Sequence, residues 1–438
     1  MILSERFNYP DSFYEKSIYT LETALSTAPA YKPWASLDPG PAASVDERYE
    51  AMPELTKQII RDHFPTGLAP NHADIEAGLL NDEIEYTYTS GTTGDRVINI
   101  WSQSWWNASE KASRKLNANT AGLPYPCETA KLASSLNVGI SCEEDLPMSS
   151  RLVGETLYLN EKINLIQWQS RHYKRIINEL NDFKPVILEA NPSLLARVAY
   201  FATDNGLELY SPDAIIFTYE FESAIHLDAI RSVFSSPLIS SFGTTETGFV
   251  LQSCDKGLLH QNTDFCRIDF HPLKDEYGGP ELGRILVTTF DNQWNTVIKF
   301  DTGDLVRLHP SGACACGIHE GFIADRIEGR VGNSTFSVSG GLVTTYATDR
   351  ALYPISGIRD YNLEQRGSRE YELLLMVAGD HGSARESILG QARMALEALY
   401  GEGGEFDVKI MTNILPGPAG KFRRTSASFD FDTGRLFV

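Results

Sequence analysis

The sequence predicts an α/β fold: a large layered α/β N-terminal domain with a β-rich part, then a small α+β C-terminal domain. The chain has 438 residues, and beyond about 250–300 residues a single core usually divides. Strand-like and helix-like runs alternate through the middle of the chain, the pattern of βαβ units. After Gly329-Arg330 the texture turns Gly- and Ser-rich, from Val331 to Gly341, and a second, shorter alternation begins.

Along the chain, the first stretch reads as helical and polar, with Asp46 to His63 as its best amphipathic segment. Glu83–Tyr88 and Val97–Trp101 read as strands flanking a Ser/Gly/Thr run, which makes that run a tight strand-to-strand loop. Lys184–Glu189 (strand), Ser193–Asn205 (helix), Ala214–Thr218 (strand) and Ala224–Phe234 (helix) carry the alternation. Gly283–Phe290 and Thr296–Phe300 read as a later β-rich section. Tyr371–Val377 (strand), Ser383–Leu399 (helix) and Phe406–Met411 (strand) compose the C-terminal unit. The expected domains are therefore residues 1–330 and 331–438, the second of a sensible size for an independent domain.

Composition narrows the function. A net charge of −20 argues against nucleic acid, because binding a phosphate backbone needs a surplus of Lys and Arg. No run approaches the roughly 20 apolar residues that span a bilayer. Glu5 and Arg6 stand where a secretory signal would be apolar, so a soluble, cytoplasmic protein is expected. Six cysteines in such a chain do not read as a disulfide scaffold.

Four motifs carry chemistry. Tyr88-Thr89-Ser90-Gly91-Thr92-Thr93-Gly94 has glycines that let main-chain N–H groups converge on an anion, and hydroxyls that add donors. It is not a Walker A loop, and a plain hairpin loop has the same composition. Ser241-Phe242-Gly243-Thr244-Thr245-Glu246 sets an aromatic, a Gly, hydroxyls and a carboxylate at a strand end; the carboxylate could hold Mg²⁺, or be a solvated turn residue. Phe300-Asp301-Thr302-Gly303-Asp304 reads as a Gly turn presenting an Asp, a group able to accept ribose hydroxyls. Gly417-Pro418-Ala419-Gly420-Lys421 is a flexible loop ending in one Lys, which alone reads as a surface turn.

In this order the four resemble one family, the acyl-adenylate-forming superfamily of acyl-CoA synthetases, peptide-synthetase adenylation domains and luciferases. The resemblance runs from about Tyr86 to Arg424. The chain length, Arg151–Gly154, Asp325–Arg330 and a Cys-rich stretch look like phenylacetate-CoA ligase and its relatives. The resemblance implies ATP-dependent activation of a carboxylic acid as its acyl-adenylate, then transfer to coenzyme A. Ser90, Gly91, Thr92, Thr93 and Gly94 would wrap the β- and γ-phosphates. Phe242 would stack on adenine, flanked by Gly243 and Thr244. Thr245 and Glu246 would meet the α-phosphate and Mg²⁺. Asp304 would bind the ribose with Arg330 close by, and Lys421 would bridge the attacking carboxylate and the α-phosphate. The implied partners are a small carboxylic acid, ATP and CoA, with neither nucleic acid nor membrane, and a homodimer as the assembly to test.

The sequence also departs from the family. Asp95-Arg96-Val97 replaces a Pro-Lys pair after the phosphate loop, and Phe300-Asp301 replaces Tyr-Arg. Val331-Gly332-Asn333 lacks the hinge acid that normally follows Gly329-Arg330, although Gly332 could pivot. These departures keep open two rivals: an adenylating ligase that serves an amine or a carrier-protein thiol, and a non-catalytic nucleotide-binding relative. Cys254, His260, Cys314 and Cys316 could supply four tetrahedral Zn²⁺ ligands, with Cys266 a substitute, and some relatives of phenylacetate-CoA ligase have a structural zinc near this point. His63, His72 and His319 have no such context. The acid pocket is expected between Asn137–Cys142, Phe217–Phe221 and Phe242–Thr245, whose aromatics hint at an aryl acid.

Overall fold

In the computed structural model, the described residues are 3–70, 73–88, 97–133, 146–159, 168–379, 382–417, 420–429 and 431–438. They form a mixed α/β fold of two compact units that interleave along the chain. The first comprises Met1–Leu123, Ser241–Leu273 and Pro280–Arg326; the second comprises Pro124–Ser240, Lys274–Gly279 and Ile327–Val438. Among the described residues no helix is long and apolar enough to cross a membrane.

The first unit opens with the helix Asp11–Thr27. The expected helix from Asp46 to His63 is instead two, Val45–Glu50 and Lys57–His63. Pro53 lies between them, and a proline lacks the N–H that a helix interior needs. Each helix starts on its own cap: Ser44 forms a capping box with Glu47, and the Thr56 side chain accepts from the Ile59 N–H. Leu21, Tyr31, Tyr49, Leu55 and Ile60 pack with Val97, Ile298 and Phe300 in one buried cluster. Glu85–Tyr88 and Ile98–Trp101 pair antiparallel, as the sequence predicts.

An antiparallel sheet completes this unit. Gly248–Ser253 pairs with Ser241–Thr244 on one side and with Leu259–Gln261 on the other. Cys266–Pro272, Leu282–Thr289 and Phe300–Leu308 pair in turn. The strand expected over Thr296–Phe300 begins only at Phe300. The preceding N–H groups are taken elsewhere: Thr296 donates to the Leu68 carbonyl, Ile298 to the Tyr31 hydroxyl and Lys299 to the Thr288 hydroxyl.

The second unit holds the parallel strands Thr156–Tyr158, Thr129–Leu132, Ile187–Ala190 and Ala214–Phe217, adjacent in that order. The strand Leu238–Thr244 lies beside Ala214–Phe217 with its first residues. One face of these strands is apolar: Ala130, Leu132, Leu188, Ala190, Ile215 and Phe217 pack on the helices Ser170–Phe183 and Pro192–Asn205. Farther along, Glu405–Ile410, Glu370–Val377, Ile358–Gln365 and Thr425–Ala427 form a four-stranded sheet in that order. The helices Thr345–Leu352 and Gly382–Tyr400 cover it through Leu352, Ala392 and Leu396.

A buried polar network runs through this second unit. Asp360 is 1% exposed and accepts from both Arg424 and Arg197, the latter at 3.2 Å. Arg424 also donates to the Ser193 hydroxyl at 2.6 Å, and Arg197 to Asn413 at 2.6 Å. Asp349 accepts from the Ser223 hydroxyl and from the Ala224 N–H, 2.5 and 2.8 Å, at the start of the helix Ala224–Arg231. Burial opposes the Asp360 charge, but Arg424, His226 and Arg197 outweigh it and hold the carboxyl well below its ordinary range. Removing one partner of a buried ion pair leaves the other charge uncompensated, at about 3–5 kcal/mol. Asp360→Asn should therefore lower the thermal midpoint and speed limited proteolysis of residues 331–438. Because the folded pKa is depressed, the stabilisation is present above the ordinary carboxyl pKa near 4 and fades as pH falls below it. The variant should lose that acid-side slope, which thermal melts across pH 3 to 7 would read.

Candidate active site and metal centre

The Ser241–Glu246 motif straddles a strand and a turn. Leu238–Thr244 runs through Phe242, which pairs with Leu251, and the chain reverses before Gly248. The Thr244 and Thr247 hydroxyls lie 3.0 Å apart, and the Thr247 N–H donates to the Thr244 carbonyl at 3.1 Å. This closes a tight turn around Thr245 and Glu246, and Glu246 is buried. Gly243 is needed here, since a Cβ would lie 2.0 Å from the Gly248 carbonyl oxygen. Asn99, on the strand that leaves the Ser/Gly/Thr run, donates to the Thr245 carbonyl at 3.1 Å. Asn295 in turn donates to Asn99 at 2.6 Å. Ser90, Gly91, Thr92, Thr93 and Gly94 themselves lie outside the described residues, as does Asn137–Cys142.

Asp304 does not sit in a turn. It lies inside the strand Phe300–Leu308, where the register shifts between Arg284 and Leu286. Gly303 takes φ +72, the left-handed conformation that a bulge can use. The Asp304 N–H donates to the Thr302 hydroxyl at 3.3 Å, and the side chain is buried. A bulge re-aims a side chain without ending the strand, so a Gly-centred motif reads as a turn from sequence alone.

Arg330 and Lys421 belong to the second unit. Arg330 ends the strand Ile323–Arg330, and Val331–Asn333 forms one short 3₁₀ turn. Here Gly329, at φ +117, meets Thr345 where a Cβ would stand, 2.7 Å away, whereas a Cβ at Gly332 would meet nothing. The Lys421 loop is closed on itself: the Gly417 N–H donates to the Lys421 carbonyl at 2.9 Å. The next residue, Phe422, donates its N–H to Glu220 at 2.7 Å, and Glu220 also accepts from Ser193 at 2.8 Å. Glu220, Ser193 and Arg424 thus hold the lysine loop. Sequence reading missed all three as site residues, although Arg424 stands three positions past Lys421 and Glu220 lies inside the expected pocket segment.

The cysteine cluster assembles as expected. The ligand atoms of Cys254, His260, Cys314 and Cys316 all lie within 4.8 Å of one another. Cys254 and Cys314 sulfurs are 3.7 Å apart, and Cys316 sulfur is 3.4 Å from His260 Nε2. Metal–ligand distances of about 2.3 Å (Zn–S) and 2.0–2.1 Å (Zn–N) give tetrahedral edges of about 3.8 and 3.6 Å. The two edges match. Lys256 and Ile318 each donate a backbone N–H to the sulfur two residues earlier, both at 3.4 Å, the outer contacts that orient thiolate ligands. Burial pushes the Cys254 thiol up and Cys316 to about 12, and burial with the nearby His309 pushes His260 down to about 4. The imidazole is therefore neutral, as a ligand must be. Cys266 stands apart, its sulfur against the Asn262 and Val250 carbonyls.

The fold has known counterparts. A 2-hydroxyisobutyryl-CoA ligase in its postadenylation state with 2-HIB-AMP matches at a TM-score of 0.73 and 17% identity, covering 98% of this chain and 92% of that one. The chain shares the fold of that ligase. The same ligase with 2-HIB-AMP and CoA matches at 0.57 and 16% identity, over 97% and 91% of the two chains. The amide bond synthetase McbA from Marinactinospora thermotolerans matches at 0.50 and 14% identity, over 78% and 68%. Protein CapK of Staphylococcus aureus is 22% identical over 381 residues, 85% of this chain and 78% of its own. No protein-family model matches.

Phe242, Thr245 and Glu246 depend on one close backbone approach. Gly243→Ala should open the pairing of Ser241–Thr244 with Gly248–Ser253. A lower thermal midpoint, with far-ultraviolet circular dichroism nearly unchanged, is the expected result; an unaltered midpoint would mean that the strand pair accommodates a Cβ.

Proposed function

We propose that this protein activates a carboxylic acid with ATP, forming an acyl-adenylate and pyrophosphate, and then passes the acyl group to coenzyme A. One observation carries the reading. The turn bearing Thr245 and Glu246 is tied by Asn99 to the strand leaving the Ser/Gly/Thr run, in a chain whose fold matches an adenylate-bound acid–CoA ligase nearly end to end.

In this reading Ser90 to Gly94 hold the β- and γ-phosphates, and Phe242, Gly243 and Thr244 face the adenine. Asp304 accepts the ribose hydroxyls, and Arg330 is assigned to the same ribose. Glu246, a buried carboxylate beside the Thr244 and Thr247 hydroxyls, offers the hard oxygen donors that suit Mg²⁺, which neutralises phosphate charge when bound. Lys421 places an ammonium between the acid and the α-phosphate. A carboxylate oxygen attacks the α-phosphorus and pyrophosphate leaves; two anions must approach, so positioned cations and amides supply much of the rate. The CoA thiol then attacks the acyl carbonyl and AMP leaves. Residues 331–438 would act as the mobile C-terminal domain, with Gly332 as pivot.

A second acceptor, an amine or a carrier-protein thiol, is favoured by a specific feature. Val331-Gly332-Asn333 has no hinge acid, and Asn333 is held through its carbonyl by the Thr425 hydroxyl at 2.6 Å. Formation of acyl-CoA from acid, ATP and CoA separates the two.

The test of the first step is acid-dependent ATP–pyrophosphate exchange, screened across carboxylic acids. Lys421→Ala should reduce exchange by a hundredfold or more while ATP still binds, because the ammonium acts mainly in the transition state. Near-normal exchange in this variant would remove Lys421 from the mechanism, and the absence of exchange with every acid would end the reading.

Zinc at Cys254, His260, Cys314 and Cys316 is proposed as structural. Purified protein should carry about one Zn²⁺ per chain. Cys314→Ser should lose the metal and melt at lower temperature, since structural sites couple metal binding to folding. Metal-free wild-type protein by elemental analysis would end the zinc assignment and leave the adenylation reading intact.

A further inference from the structure

The apolar face of the parallel strands in the second unit is fully packed. The opposite face, near the carboxyl ends of the same strands, is not apolar. Lys131 on Thr129–Leu132 and Glu189 on Ile187–Ala190 are register partners, and they form an ion pair at 2.9 Å with side chains 29% and 13% exposed. Tyr219, two residues past the strand Ala214–Phe217, folds back and donates its hydroxyl to the other Glu189 oxygen at 2.6 Å. Thr218 lies 3.5 Å from the same oxygen.

Two features mark this cluster as more than a surface ion pair. Tyr219 has φ +79, a left-handed conformation that is a genuine outlier for a bulky residue and persists only where surroundings over-determine it. In open parallel sheets, moreover, ligands bind outside the carboxyl ends of the strands. The chain also fixes what is next door. Glu220, the residue after Tyr219, accepts the Phe422 N–H, and Phe422 follows Lys421. The polar cluster is therefore one residue removed from the anchor of the lysine loop.

We propose that Lys131, Glu189 and Tyr219 form the subsite for the side chain of the acid, and that they select an acid carrying a hydroxyl or similar hydrogen-bonding substituent. This rests on the adenylation reading, in which the carboxylate of the acid lies beside Lys421. Through the Phe422–Glu220 hydrogen bond, the segment that bears Lys421 is tied to the residue next to Tyr219. An unsubstituted hydrocarbon or phenyl group placed there would strip water from an ion pair and a phenol without replacing its hydrogen bonds. A hydroxyl can accept from one group and donate to another. Sites built to bind a substrate hydroxyl discriminate strongly against the analogue that lacks it. The aryl hint in the sequence is thereby narrowed to hydroxylated or otherwise polar acids.

The experiment uses ATP–pyrophosphate exchange with matched acids differing by one hydroxyl: phenylacetate and 4-hydroxyphenylacetate, benzoate and 4-hydroxybenzoate, butyrate and 3-hydroxybutyrate. The hydroxylated member should be favoured about tenfold or more in kcat/KM in at least one pair. Tyr219→Phe and Glu189→Gln should each raise KM for that acid and collapse its preference over the unsubstituted partner. Tyr219→Phe keeps the ring, so it guards against a Glu189 variant that merely misfolds. Preference for the unsubstituted member in every pair would overturn this proposal while the adenylation reading stands. So would a hydroxyl preference that survives both variants. Silence with all six acids in a protein that does exchange with another, unsubstituted acid would also overturn it, whereas silence with every acid overturns the parent reading.

Discussion

The Asp360 carboxylate is the group on which the second unit depends. It stands on the strand Ile358–Gln365 and is reached by Arg424, which follows the lysine loop, and by Arg197, from the helix Pro192–Asn205. Two guanidinium groups so deeply buried are tolerable only with a counter-charge and filled hydrogen-bonding positions. Ser193, Asn413 and the Ile414 carbonyl fill several of them. Burial alone would favour a protonated Asp360, yet its neighbours keep it ionised. One charge thereby fixes three segments far apart in the chain, and the lysine loop is positioned by a residue that touches no substrate in the proposed mechanism.

The first unit relies on shape more than on charge. Gly243 lets two strands approach where no side chain would fit, Gly248 leaves room for Trp105 and Ser109, and Gly303 puts a bulge under Asp304. The amide of Asn99 then connects the strand leaving the Ser/Gly/Thr run to the backbone of Thr245. Backbone N–H groups of Lys256 and Ile318 donate to the Cys254 and Cys316 sulfurs. In the proposed zinc site, a cation would replace the small apolar core that a pair of short turns cannot build.

Much of this was legible in the sequence, because periodicity and composition report local structure. The strands at Ala214 and Glu370 and the helices at Pro192 and Gly382 fall within a few residues of expectation. The Cys/His set was found from residue type alone. What failed was whatever depended on distant partners. The strand expected at Thr296 was lost to side chains from elsewhere in the chain, and Pro53 broke a helix that amphipathicity had joined. Asp304 was placed in a turn because a bulge and a turn both use glycine. Glu220, Arg424 and Asp360 escaped notice because a lone charged residue in sequence is read as solvated; only the fold reveals that Arg424 and Asp360 are buried and that Glu220 holds the Phe422 N–H.

The short span between Lys421 and its anchors has a consequence of its own. Phe422 is fixed at its N–H and Arg424 at its guanidinium, so the lysine backbone is leashed within about 10 Å of a buried anchor, given roughly 3.3–3.6 Å per extended residue. In the proposed mechanism, the backbone carrying this side chain has surrendered most of its freedom before the acid binds. Its local concentration at the end of the sheet is thereby set by the chain rather than by diffusion. Lengthening that leash by even a few residues would dilute the ammonium without altering its chemistry.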